Sequence, residues 1–258
     1  MDNLVSLTHK PLVEAIFEIR WELTAHNFPP GATLSDPHYE IMVGVLRTKL
    51  QADFPDYVKL AAGQFPGMMM PYQVQYQFRT SGAGWPLVQL GNGVITINDT
   101  DGYSSDAFVA TCLKVVGVLK EFWRENNFNG KISSVGLRYV DADILNGTPV
   151  EDFLKQLDVS VGFGARIHRS NKMGKHFDAL QLLTRIKSTE PPGSVLFSFN
   201  RGLKEDKDSL IWETAILSEG IECATFMESP KTWLDAAHEL AHELFFSMIE
   251  GELREKYK

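Results

Sequence analysis

Apolar and polar residues alternate cleanly from Val13 to Leu23. Val13, Ala15, Phe17, Ile19, Trp21 and Leu23 fall on one side, and Glu14, Ile16, Glu18, Arg20 and Glu22 on the other. A period of two marks a strand with one face on a core and one mostly wet. Pro29-Pro30-Gly31 breaks the pattern. Ser35 or Asp36 then offers a helix N-cap, Pro37 suits the first helical position, and the spacing predicts a helix to about Ala52. Phe65-Pro66-Gly67 reads as a turn, and Met68-Met69-Met70 as a flexible packing edge. Alternation resumes from Tyr72 to Thr80. The sheet continues from Leu87 to Asn98 with a bend at Gly91-Asn92-Gly93. A long amphipathic helix follows from Ser104 to Asn126, closed by Asn127 to Gly130.

A similar succession comes next. Ile132 to Leu145 reads as a strand, and Thr148-Pro149 opens a short helix to about Leu157. Four strand candidates follow: Val159 to Arg169, Phe177 to Ser188, Ser194 to Arg201 and Leu210 to Ser218. Lys172 to Lys175 and Lys204 to Asp208 read as exposed hairpin loops. A helix from about Pro230 to Tyr257 closes the chain.

Phe17-Glu18-Ile19-Arg20-Trp21 echoes Val135-Gly136-Leu137-Arg138-Tyr139, at an offset of 118 residues (138 − 20). The echo is either an old duplication or the chance likeness of two amphipathic strands. The expected fold class is α+β, with two β-α-β(n)-α halves, residues 1–130 and 131–258. They form separate units or one continuous domain, with long helices on one face of a curved antiparallel sheet.

Composition narrows the function classes. The formal net charge of −8 and the lack of a Lys/Arg cluster with interleaved aromatics argue against a nucleic-acid partner. Cys112 and Cys223 are the two cysteines. Both lie in apolar neighbourhoods, which fits a reducing cytoplasm rather than a disulfide framework. The N-terminus lacks the basic-then-apolar form of a secretory signal, and no apolar run reaches membrane-spanning length.

One run spells a catalytic signature. His238-Glu239-Leu240-Ala241-His242 has the H-e-x-x-H form in which two imidazoles on one helical turn grip zinc and the glutamate polarises its water. Catalytic zinc takes three protein ligands. No histidine follows His242, and Glu250 lies on the expected continuation of the same helix, which cannot fold back onto the ion. An upstream third ligand such as His168, His176 or Glu213 stays open. At about 100° per residue, Leu234, Ala237, Leu240, Ala241, Leu244, Phe245, Met248 and Ile249 form an apolar arc. His238 and His242 fall at its seam, as in an ordinary helix docked on a core, so a catalytic zinc is not expected. No G-x-S-x-G elbow or phosphate loop occurs, and Gly162-Phe163-Gly164 sits in a strand-like run rather than a dinucleotide fingerprint.

Four segments resemble a sporadically distributed bacterial family of unassigned function. They are Lys10-Pro11-Leu12-Val13-Glu14-Ala15-Ile16-Phe17-Glu18-Ile19-Arg20-Trp21, Gln89 to Asp99, Gly136-Leu137-Arg138-Tyr139-Val140-Asp141, and the helix from Leu234 to Phe246. The resemblance implies a shared fold and no catalytic residues. Patchy distribution of that kind is associated with mobile, defence-linked genes.

Arg20 and Arg138 are the ligand-binding candidates, since they occupy equivalent places on the two opening strands and a guanidinium fork suits carboxylates or phosphates. Arg166, Arg169 and Arg185 extend the same face. The bland alternative is a cross-strand ion pair with Glu14, Glu18, Glu22 or Asp141. The expected function is a cytoplasmic, non-catalytic binding or regulatory protein without a cofactor, of the immunity, antitoxin or phage-defence kind. It would hold a protein partner or a small ligand, with homo-oligomerisation open. The rival is a zinc-dependent hydrolase using His238, Glu239 and His242.

Overall fold

Ala15, Phe17, Ile19 and Trp21 are fully buried on one side of the first strand, β1 (Leu12–Trp21). That alternation places β1 where a core covers one face. In the computed structural model, which describes residues 7–28, 31–100, 102–128, 130–164, 166, 167, 172 and 174–258 of the chain, β1 is an interior strand of a nine-stranded sheet. Its other members are β4 (Asp56–Lys59), β5 (Val74–Thr80), β6 (Gly84–Gly91), β7 (Val94–Asp99), β8 (Ile132–Ile144), β9 (Gln181–Thr189), β10 (Pro192–Lys204) and β11 (Lys207–Glu219). The order across the sheet is β4-β5-β6-β7-β1-β8-β11-β10-β9, and every pairing is antiparallel. A separate hairpin, β2 (Thr24–Phe28) and β3 (Gly31–Ser35), follows β1.

The helices are α1 (Tyr39–Leu50), α2 (Ser105–Glu125), α3 (Val150–Gln156), α4 (Pro230–Met248) and α5 (Glu252–Tyr257). Residues of α1, α2 and α4 share one core with Phe17, Ile19, Ile95, Ile97 and Leu137. Register explains the shared side. Phe17 stands opposite both Ile97 and Leu137, so all three point the same way. A second core gathers Trp212, Phe199, α3, Ile249, Leu253 and Tyr257. Trp212 is two residues from Thr214 and therefore lies on the same face as the first core. No helix among the described residues is long and apolar enough to cross a membrane.

Several expectations are revised. The helix predicted from Pro37 begins at Tyr39 instead. Asp36 is spent before it, accepting the Trp21 indole N–H at 2.9 Å and the His38 backbone N–H at 2.8 Å. The bend expected at Gly91-Asn92-Gly93 is a full reversal, which makes the Leu87–Asn98 stretch two paired strands, β6 and β7, joined at Asn92-Gly93. Asn92 is fully buried, and its amide donates to the carbonyl oxygens of Leu34 and Gly67. Residues 159–164 of the expected Val159–Arg169 strand form none. Val159 and Val161 pack against the second core without a ladder partner, and Gly162 and Gly164 weaken any extended pairing there. β9 begins at Gln181, and Lys172, Gly174 and Lys175, the described residues of the expected hairpin loop, belong to no strand. Arg169, His168 and Met173 lie outside the described residues. The last helix is also not continuous. It ends at Met248, and Gly251 at φ +103 redirects the chain into α5.

Candidate functional site

The odd positions of β8 face the helices. Val135 and Leu137 are buried there, and the same register carries Tyr139 and then Asp141, which is 2% exposed. On β11 the core-facing register runs Leu210, Trp212, Thr214, Ile216. Thr214 stands directly opposite Tyr139, and Trp212 opposite Asp141. Polar side chains thus stand in the apolar register here, where the two cores meet.

A cavity of about 350 Å³ opens there. Its floor is Tyr139, Asp141 and Thr214. One wall is His238, Ala241, His242, Phe245 and Phe246 of α4, and another is Tyr103, Ser104 and Ser105 at the start of α2. Leu7, Lys10, Pro11 and Leu12 complete the lining. Three of the four segments singled out in the sequence therefore meet at one place, namely the start of β1, the 136–141 strand segment and the α4 face.

A hydrogen-bonded file runs across the cavity. The Tyr103 and Tyr139 hydroxyls are 3.0 Å apart, and the Tyr139 hydroxyl is 2.9 Å from His238 Nδ1. Burial holds both phenols above their ordinary value, Tyr103 at about 12. Burial, and to a lesser degree His242, lowers His238, so its imidazole is neutral at pH 7. With the ring proton on Nε2, Nδ1 accepts from Tyr139, whose oxygen then accepts from Tyr103.

Two floor groups have no such partner. Among the described residues the Thr214 hydroxyl is buried without a hydrogen bond, and nothing donates to the Asp141 carboxyl. Burial raises Asp141 to about 7, opposed by the positive charge of Lys204. The Lys204 ammonium itself is bound to the Ala142 carbonyl oxygen at 2.9 Å.

The signature histidines both line this wall. His238 Nδ1 is engaged by Tyr139, the two rings lie 6.1 Å apart, and His242 packs on Phe246 at 4.5 Å between centroids. Among the described residues no group of three or more His, Cys, Asp or Glu is placed to hold a metal ion. Two of the upstream candidates are occupied elsewhere: His176 pairs with Glu151, and Glu213 faces the opposite side of the sheet. His168 lies outside the described residues. Burial pushes the Cys112 thiol well above its ordinary value, and Cys223 Sγ contacts the Gly220 and Ile132 carbonyl oxygens.

Arg20 and Arg138 lie on the other face of the sheet. Arg20 Nε meets Glu18 at 2.8 Å, with its guanidinium 5.7 Å from the centre of the Tyr72 ring. Arg138 Nε is 3.4 Å from Glu213. Arg185 shares that face and pairs with Glu219. Arg166 does not extend it, because it sits in an exposed turn outside the sheet. Asp141, weighed as an ion partner of Arg138, points the opposite way, as residues three apart in a strand must. Sequence reading passed over Tyr103, Tyr139 and Thr214 as site residues. The available signal was the polar residue standing in the apolar register of β8 and β11. Comparison of the chain with family models, curated proteins and solved structures finds no match.

Proposed function

We propose that this is a non-catalytic binding or regulatory protein and that the cavity between its two cores holds a small ligand. The observation that carries the reading is the pair of unpartnered floor groups. Asp141 and Thr214 are each 2% exposed; the Thr214 hydroxyl is buried with no hydrogen-bond partner among the described residues, and no described residue forms an ion pair with the Asp141 carboxyl. Buried polar groups are hydrogen-bonded in the great majority of cases, and leaving a hydroxyl or carboxyl unmatched costs roughly 1–3 kcal/mol. A mostly apolar cavity with a few convergent polar groups is the usual form of a small-molecule site.

The mirrored strand order outward from the β1–β8 pair supports reading the halves as duplicated units of one curved sheet, with the ligand held near their seam. Arg20 and Arg138 would then serve a second, protein-facing surface on the open side of the sheet. An accessory role of the immunity, antitoxin or phage-defence kind draws its support from the bacterial family resemblance.

Native mass spectrometry of the chain purified gently from its own host tests the small-ligand reading. The expected result is an adduct of small-molecule mass that is absent in Ala241→Trp, whose indole fills the cavity from α4. A wild-type chain carrying nothing overturns it.

A further inference from the structure

The cavity has a charge preference that its lining makes explicit. Among the described residues that line it, Lys10 and Asp141 are the formally charged ones. Lys10 is exposed and donates to the Tyr103 carbonyl oxygen at 3.4 Å, so it belongs to the rim. Asp141 lies on the floor. Among the described residues no lysine or arginine forms an ion pair with it; Lys204 opposes its burial from a distance, with its ammonium on the Ala142 carbonyl oxygen. A carboxylate placed so is unfavourable unless something supplies donors and positive charge.

We propose that the cavity takes a small organic ammonium, with its charged head on Asp141 and Thr214 and its apolar body among the aromatic rings above them. The class rests on the small-ligand reading of the cavity and deepens it. An ammonium carries three donors, enough for the carboxylate and the threonine oxygen together. The rings of Tyr103, Tyr139, Phe245 and Phe246 surround the same space, and aromatic faces attract a desolvated cation. Burial keeps His238 neutral at pH 7, so its ring adds no opposing charge there. An anion would meet a carboxyl at the deepest point, and a neutral ligand would leave its charge-pairing capacity unused.

Calorimetric titration of the full chain with phenethylammonium, phenethyl alcohol and phenylacetate separates the classes, because the three differ mainly in the charge of the head group. The ammonium is expected to bind at least about tenfold tighter than the alcohol, as a charge-assisted hydrogen bond exceeds a neutral one. That preference should vanish in Asp141→Asn and weaken in Thr214→Val, with folding of both checked by circular dichroism. Equal or tighter binding of the alcohol or phenylacetate overturns the ammonium class, as does a preference that survives Asp141→Asn. In those cases the cavity still stands as a site if Ala241→Trp abolishes the binding. Failure of the ammonium to bind at millimolar concentration also overturns the class, and the adduct measurement judges the cavity independently.

Discussion

Asp141 carries a conflict between stability and binding. Its carboxyl is raised to about 7 in the fold, first by burial, against an ordinary value of 3.8. Lys204 opposes the shift, while Tyr257 of α5 and Tyr139 of its own strand bring further titratable groups near it. Because the folded-state value lies above the unfolded one, the protonated acid favours the fold. That contribution is complete below the unfolded value and is lost as pH rises through about 7. The wild-type chain should therefore lose on the order of 2–3 kcal/mol from this group between about pH 5 and about pH 8. Urea unfolding at the two pH values is the measurement. Asp141→Asn should flatten the dependence and be the more stable protein at the higher pH. An unchanged slope in the variant would mean that the carboxyl is compensated within the fold. The residue was visible in the sequence as a polar side chain in step with Val135 and Leu137. Its meaning was hidden, because a lone strand does not reveal whether a cavity or an ion partner lies opposite.

At the scale of elements, the hairpin between β10 and β11 shows how far local chemistry reaches. Lys204 pairs with Lys207, leaving Glu205 and Asp206 as a two-residue turn at φ 53° and 60°. Both residues are in the left-handed region, which costs an ordinary side chain roughly 1 kcal/mol or more, and the tight twist of the hairpin demands it. Replacing them by Glu205→Asn together with Asp206→Gly should stabilise the protein by roughly 1 kcal/mol, read as a rise in thermal midpoint with the fold unchanged. A fall would show that the acidic side chains serve the turn in another way. The charged run Lys204 to Asp208 announced this loop from sequence, whereas β4 and the β2–β3 hairpin went unread. β4 is four residues long, and its alternation is too short to stand out. Glycine decided the end of the chain. The amphipathic period runs from Pro230 onward without a break, yet Gly251 turns it so that Leu253 and Tyr257 bury in the second core.

Across the whole molecule, the two halves share one sheet through the β1–β8 pairing, which runs from Leu12↔Asp141 to Trp21↔Ile132. They also share a core. Phe17 of the first half packs on Phe226 and Trp233 of the second, with ring centroids 6.1 and 6.2 Å apart. Cutting the chain between residues 130 and 131 would expose the long edges of β1 and β8 and open that core. Each half expressed alone should lack a cooperative thermal transition, while the whole chain should show one. Two independently melting halves would instead make the seam a domain boundary. The cavity belongs to this scale as well, because its floor and α4 wall come from the second half and its rim and α2 wall from the first.

The sequence by itself determined the alternation of β1 and β8, the long helices, the closing hairpin and the mixed α+β class, because these follow from periods of two and 3.6 read over a dozen neighbouring residues. It also exposed the H-e-x-x-H run without its context. Only the tertiary structure decided that His238 meets a tyrosine, that Arg138 and Asp141 look to opposite sides, and that Asp141 and Thr214 line one cavity with α4. Those facts depend on contacts between residues about 70 to 100 positions apart, and no local period encodes which strand becomes the neighbour of which.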